Sequence, residues 1–552
     1  MTSTRIRVAV VVAAVTALAM SAAPTAFAGG YPLPENPGTI SKPTKSVKKL
    51  VASKTCTTAT ANAHTCFSTL AAAVAAAKQT GKHKYEYTIT ITAGTWREPV
   101  LVEGHQFDGL TITGSTGNAA DTVIDLSTLS APDNQDAILI NGAAGVTVKN
   151  LTVTRYHGNG VWIVNVQNMF GTKTYLVNNV VASFGGVYGI FARNSFGGTM
   201  SNSEAYYNND SGFYVGETPT QTKPLRTTLT GLKSWGNELG YSGTNSKYVT
   251  ITKSKWFNNG IGIVPNLLFS EDFPPPSDNI IIDNDVYGNN LNYFVGTNAD
   301  GSSTAVANKT NRLQVTPFTV NYGSLGGADY PPGIGILLFG SQKTTIQNNR
   351  VWGNKLLGVG MLNPSILLTD SSSYKAVCPV GVTPSVACNT LKNTFNLKWN
   401  KIIGNKFGNL GRNQNGRDIF YANDGTANCI GGTGSNANTV GGVQSSLVTI
   451  GEPTLPKFWA TCPVAASFAN SGLTLSYFDA LTFTDATSES GATGMGARDP
   501  SGADFVNNSY HDGRWLHKTD QAAWPTGFGT PIERCKFKVA ATPLSGCVGD
   551  GK

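Results

Sequence analysis

Between Val146 and Leu362 the chain repeats one pattern of apolar and polar positions. A few β-favouring residues meet an Asn or polar turn, a second β-favouring run meets an Asn/Gly turn, and a glycine then opens an apolar alternation. The pattern is legible in VTVKNLTVTRYHGNGVWI (146–163), YLVNNVVASFGGVYGIF (175–191), GTMSNSEAYYNNDSGFYV (198–215), YVTITKSKWFNNGIGIV (248–264) and TTIQNNRVWGNKLLGVGM (344–361). The opening glycines Gly160, Gly189, Gly212, Gly240 and Gly262 stand 29, 23, 28 and 22 residues apart. A strand-bearing unit of roughly 20 to 30 residues cannot bury its own apolar face, so such units stack. The pattern predicts an all-β fold, a parallel β-helix of about ten or more coils, right-handed like nearly all crossovers between parallel strands.

Strand residues alternate between faces, so each coil can be sorted by counting from its glycine. The first and third positions, among them Val161, Ile163, Ile190, Ala192, Phe213 and Val215, are expected inside. The second and fourth, which include Trp162, Phe191, Arg193, Tyr214, Val264 and Asn266, are expected outside. Coils stack at about 4.8 Å, which would align Trp162, Phe191 and Tyr214 as an outward aromatic column beside Arg193. Aromatic planes pack on the apolar faces of sugar rings, and a guanidinium can pair with a uronate carboxylate. The alternative is that the rings lie under an insertion and complete a secondary apolar cluster. At the fifth position, Asn165, Asn194 and Asn245 form an expected side-chain ladder, which Glu217 interrupts.

Two places before the glycine stand Asp210 and Glu238, on consecutive coils, with His157 near the same edge three places before Gly160, two coils further back. Carboxylates one coil apart approach within roughly 5 Å, a spacing that suits a shared proton, a calcium ion or glycosidic acid/base chemistry. Asp210, Glu238 and Arg193 are therefore the candidate catalytic residues. Trp162, Phe191, Tyr214, Glu217, His157 and Asn266 are the candidate substrate-binding residues. Solvated turn carboxylates are the competing explanation for the acidic pair. No metal site is assigned, although Asp283 and Asp285 have an i, i+2 spacing also found in calcium loops. Glu271-Asp272, on an insertion, could reach over the face.

The rest of the chain divides around this repeat. Residues 1–28 read as a signal peptide, with Arg5 and Arg7, an apolar run from Val8 to Met20 and the small-residue end Ala26-Phe27-Ala28. Residues 29–64 read as an N-terminal linker. Residues 65–420 read as the β-helix, entered through a helix near 68–80 with Ser68 as N-cap, which would cover the open end of the solenoid. Residues 421–552 read as a disulfide-stapled C-terminal cap or appended region. Insertions after Asn266, Phe294 and Leu362 are expected to leave from one edge of the coil, just past the glycine-led strand. Elsewhere, no run approaches the roughly 20 apolar residues of a membrane helix.

The capping helix, the segment ITAGTWREPVLV and the Asn-turn coils resemble right-handed parallel β-helix proteins of the pectin-lyase-like superfamily. GVYGIFARNSFGGT (186–199), DSGFYVGE (210–217), GYSGTN (240–245) and GIGIVPN (260–266) resemble the exported actinobacterial NosD-like group. The resemblance implies a polysaccharide partner. It leaves the activity open, because such folds carry lyases, hydrolases, esterases, epimerases and non-catalytic binders. The Asp-Pro-His-Asp of polyuronate epimerases, the Gly-His-Gly of polygalacturonases and the paired-Asp signature of pectin esterases are all missing. A polysaccharide lyase or glycoside hydrolase therefore stands beside a non-catalytic surface or matrix protein.

Composition changes this picture little. The net charge of +8 falls to +6 once Arg5 and Arg7 leave with a leader that holds no acidic residue. That mild bias suits an acidic polymer and is also an ordinary solubility feature. Clustered Lys/Arg outside the 42–54 segment is lacking, which argues against nucleic acid, and a monomer is expected. Eight cysteines fall in sequential pairs: Cys56 and Cys66, Cys378 and Cys388, Cys429 and Cys462, Cys535 and Cys547. An even count in an exported chain points to disulfides; nearest-neighbour pairing would staple four local loops, and spacing alone leaves the connectivity open.

Overall fold

The computed structural model describes residues 38–40, 47–57, 65–80, 83–129, 136–208, 210–268, 271–289, 333–354, 357–364, 372–379, 381–408, 418–422 and 425–431, with further short pieces as far as residue 470. The chain winds as a right-handed parallel β-helix. Ten strands, from Val100–Glu103 through Val161–Val164, Ile190–Arg193, Ser211–Gly216, Leu239–Ser242 and Ile261–Val264 to Ile419–Ala422, pair in parallel as one sheet, and the seven from Val161–Val164 to Leu357–Leu362 are opened by a glycine. Register follows the sequence count: Val161 faces Ile190, Ile190 faces Phe213, Phe213 faces Tyr241 and Tyr241 faces Ile263. Two further stacks complete each coil. They run together in the nine-residue strands Val146–Thr154 and Tyr175–Ser183, where Asn150 and Asn179 adopt positive φ and bend the backbone.

The first and third positions after each glycine fill the core. Val161, Ile163, Ile190, Ala192, Phe213, Val215, Tyr241 and Ile263 are all at most 1% exposed. Glycine leads these strands because neighbouring coils touch there. A Cβ on Gly160, Gly189, Gly240, Gly262 or Gly335 would overlap the carbonyl oxygen of the residue beside it on the next coil, itself a glycine in every case. Polar turns are satisfied by ladders. The amides of Asn208, Asn237, Asn259, Asn289 and Asn354 each donate to the side-chain oxygen of the next Asn at 3.0–3.1 Å, ending at Asn415. The Tyr156 hydroxyl donates into one end of this ladder, and Asn415 donates to buried Asp418 at the other. The fifth-position ladder forms in part: Asn194 donates to Asn165, and Asn165 to Asn141, whereas Asn245 turns its side chain to the backbone of the segment after Val264.

Several expectations are corrected. The helix is Leu70–Ala76, and its N-cap is Thr69 rather than Ser68, because the Thr69 Oγ1 accepts from the Ala72 amide. It packs against the strands Lys48–Ala52, Cys66–Phe67, Tyr87–Ile91 and Val100–Glu103. Parallel pairing reaches past both expected edges of the β-helix. Lys48–Ala52 pairs with Tyr87–Ile91 inside the expected linker, and Ala460–Thr461 pairs with Cys429–Ile430 in the expected C-terminal region. The insertions do not share one edge: those after Val264 and Leu362 follow glycine-led strands, but the one between Asp285–Tyr287 and Ile334–Phe339 precedes one. Disulfides join Cys56 to Cys66, Cys378 to Cys388 and Cys429 to Cys462. Cys535, Cys547 and the expected signal peptide lie outside the described residues.

Candidate functional site

The outward positions of the glycine-led sheet form the aromatic column expected from the count. Trp162 and Phe191 stack with ring centroids 5.8 Å apart and planes 6° from parallel. Phe191 meets Tyr214 edge-on at 4.7 Å. Tyr188, in the turn just before Gly189, closes the group at 4.7 Å from Phe191 and 4.8 Å from Tyr214. Tyr214 lies along its own strand, over Gly216, where a Cβ would strike its ring. Phe191 and Tyr214 are buried, while Trp162 at the other end of the column is half-buried. Burial raises the Tyr188 and Tyr214 hydroxyls well above the ordinary phenol range, and neighbouring carboxylates add to it. Both are therefore neutral hydrogen-bonding groups.

Beside the column Arg193 and Glu217 form a two-point ion pair, Nε to Oε1 at 2.5 Å and Nη2 to Oε2 at 2.7 Å. Burial opposes the charge on Arg193, but the Glu217 contact outweighs it and holds the guanidinium protonated. The guanidinium edge that would take a uronate is thus filled from within the protein. Glu217 occupies a left-handed turn, φ 45°, in the column where other coils place Asn. That explains the break in the ladder: the position holds a charge partner for Arg193 instead of an amide.

The segment after Val264 folds back toward this face. The Asn245 amide donates to the carbonyls of Leu268, Glu271 and Asp272, and the Lys247 ammonium donates to the carbonyls of Phe273 and Pro275. Burial lowers Lys247 to about 8. This strap carries Glu271, whose Oε2 is buried with no hydrogen-bond partner among the described residues. Burial raises the Glu271 carboxyl to about 8; Glu217, Asp272 and Asp210 push the same way, and Arg193 pulls it back. Burial and the neighbouring carboxylates both favour its protonated form. The Trp162 Nε1 is likewise buried without a partner, and such groups are uncommon enough in folded proteins to need a reason.

The other sequence candidates fall nearby with distinct surroundings. Asp210 is half-buried and accepts from the Ser211 hydroxyl at 2.6 Å. Glu238 is buried on the next coil, where the Leu239 amide donates to the Asp210 carbonyl, so the two residues are one coil apart as expected. His157 is half-buried in the preceding turns. Asn266 is buried, and its side-chain amide donates to the Thr244 hydroxyl, a framework role. Asp283 takes the positive-φ turn, and Asp285 pairs with Arg350. Among the described residues no three His, Cys, Asp or Glu side chains converge as a metal-holding group. Sequence counting missed Tyr188, because it read the positions after the glycine and the one two places before it, and passed over the position immediately before Gly189.

Residues 136–311 match a family described as "Right handed beta helix region". That description covers the β-helix as such and not the narrower NosD-like group. No curated protein matches the chain. Among solved structures, the A-module of mannuronan C-5 epimerase AlgE4 from Azotobacter vinelandii is 16% identical, with 65% of this chain and 87% of that chain covered and a TM-score of 0.40. Pectate lyase Pel9A is 14% identical, with 79% and 90% covered and a TM-score of 0.34. Bacteriophage CBA120 tailspike protein 2 is 9% identical, with 69% and 51% covered and a TM-score of 0.37.

Proposed function

The chain is a right-handed parallel β-helix, and on that fold we propose an exported protein whose outer glycine-led face binds a polysaccharide. One observation carries the reading: a stacked aromatic column ends in half-buried Trp162, with an orphaned indole N–H, beside the Arg193–Glu217 pair. Sugar rings offer an apolar face to such a plane and hydroxyls to such donors and acceptors. Trp162 is the contact residue; Phe191, Tyr188 and Tyr214 hold its ring in place. The leader-like N-terminus and the disulfides support export.

A cleaving activity is favoured over simple adhesion by Glu271. A carboxyl held toward its protonated form is the arrangement that protonates a leaving glycosidic oxygen, and Asp210 or Glu238 is the second carboxyl group that such chemistry needs. The test is incubation of the purified protein with polyuronates and neutral glycans, with and without calcium, reading unsaturated products and new reducing ends. Retention on the same glycans is measured in parallel. Trp162→Ala is expected to weaken retention by about 1–2 kcal/mol, and Glu271→Gln to abolish bond cleavage while retention persists. Retention unchanged in Trp162→Ala on every glycan bound by the parent would remove the binding face. Cleavage surviving Glu271→Gln would remove the acid.

A further inference from the structure

The C-terminal coils carry a second, separate cluster. From Gly333 to Gly408 the sequence holds eight Lys/Arg and a single acidic residue, Asp370. The turns preceding one strand stack place Tyr248, Asp278, Lys343 and Trp399 in one column on consecutive coils, the last two of them within this basic stretch, all with left-handed φ between 51° and 57°. Bulky side chains rarely adopt this backbone, where Asn is the ordinary choice. Trp399 is nevertheless there and 39% exposed, whereas Trp96, Trp235, Trp256 and Trp352 are buried. Lys343 and Lys398 each place an ammonium 5.8 Å from the Trp399 ring centroid. Lys401 follows two residues later at the start of its strand, exposed.

We propose that Trp399, Lys343, Lys398 and Lys401 form a subsite for a uronate-bearing polysaccharide, distinct from the Trp162 face. The argument is charge complementarity combined with an exposed plane. A uronic ring would lie on the indole, and its carboxylate would reach the two ammonium groups that already flank the ring. Burial lowers Lys398 from its ordinary value, and a carboxylate arriving beside it would reverse that shift. The acidic recognition that Arg193 cannot offer, being committed to Glu217, is thereby supplied elsewhere on the coil.

The test is affinity electrophoresis of the full chain through gels containing polygalacturonate, its fully methyl-esterified form, or duplex DNA, with Trp399→Ala, Trp399→Phe, Lys343→Gln/Lys398→Gln and Trp162→Ala. Retardation by polygalacturonate is expected to weaken about five- to tenfold in Trp399→Ala and in the double Lys variant. Trp399→Phe should retain most of it, and esterification should remove the difference between the double Lys variant and the parent. Equal retardation of Trp399→Ala and parent by polygalacturonate would overturn the subsite. So would stronger retardation by DNA that depends on the same residues, which would mark a general polyanion surface. Trp162→Ala separates the two faces: its loss on the esterified polymer reports the first site, and the Trp399 effect stands or falls without it.

Discussion

At the scale of single residues, the site rests on how three carboxyl groups are surrounded. Glu217 is neutralised by Arg193 at two points, Asp210 is half-buried beside a hydroxyl, and Glu271 is half-buried on the strap, with a buried Oε2 that has no hydrogen-bond partner among the described residues. Burial is first among the causes that raise Glu271 to about 8. A carboxyl raised in the folded state binds a proton that the unfolded state releases. Its stabilisation is present below the ordinary value near 4.5 and is lost as pH rises through about 8. Lys247, which holds the strap from the coil and is lowered to about 8, contributes with the opposite sign, so the informative quantity is variant against parent. Glu271→Gln is expected to match the parent in thermal midpoint near pH 4 and to exceed it increasingly as pH rises from about 5 to 9.5. A constant difference across that range would show that Glu271 does not titrate in the fold.

At the scale of elements, the glycine count foretold register, faces and the aromatic column, because each depends only on the two-residue strand period and on coils stacking one above another. What it did not supply was the content of the strap. Leu268, Glu271 and Asp272 reach the coil through their backbone carbonyls, and no side-chain pattern encodes carbonyl contacts. The Ser68 N-cap failed for a local reason: Ser68 and Thr69 carry equivalent hydroxyls, and only backbone geometry decides which one caps. The buried Asn ladder is the element on which the corner turns depend. Asn259 donates to Asn289, Ser234 and Phe257 and accepts from the amide and side chain of Asn237. Asn259→Ala would leave several buried polar groups unpaired, each costing about 1–3 kcal/mol. A clear fall in thermal midpoint is expected. A midpoint within one degree of the parent would mean that the ladder is ornamental.

At the scale of the whole molecule, the described coils run from Lys48–Ala52 to Ala460–Thr461, beyond both edges that the repeat alone suggested. The end coils are shorter and less regular in sequence, which hid them from pattern reading. Their strands are held by main-chain pairing and by disulfides: Cys66 lies in an end strand, and Cys429 joins the final coils. Peptide mapping without reduction is expected to recover Cys56–Cys66, Cys378–Cys388 and Cys429–Cys462. Crossed pairs or free thiols there would contradict the described ends. A scaffold of this kind presents its long outer faces to an extended polymer, and the central claim is that the Trp162 face receives it. The most direct measurement is oxidative footprinting of the tryptophans with and without a glycan that the protein retains. The account predicts protection of Trp162 on binding, while buried Trp235 and Trp256 stay unreactive in both states. A glycan bound at saturation with Trp162 oxidised as fast as in the free protein would contradict it.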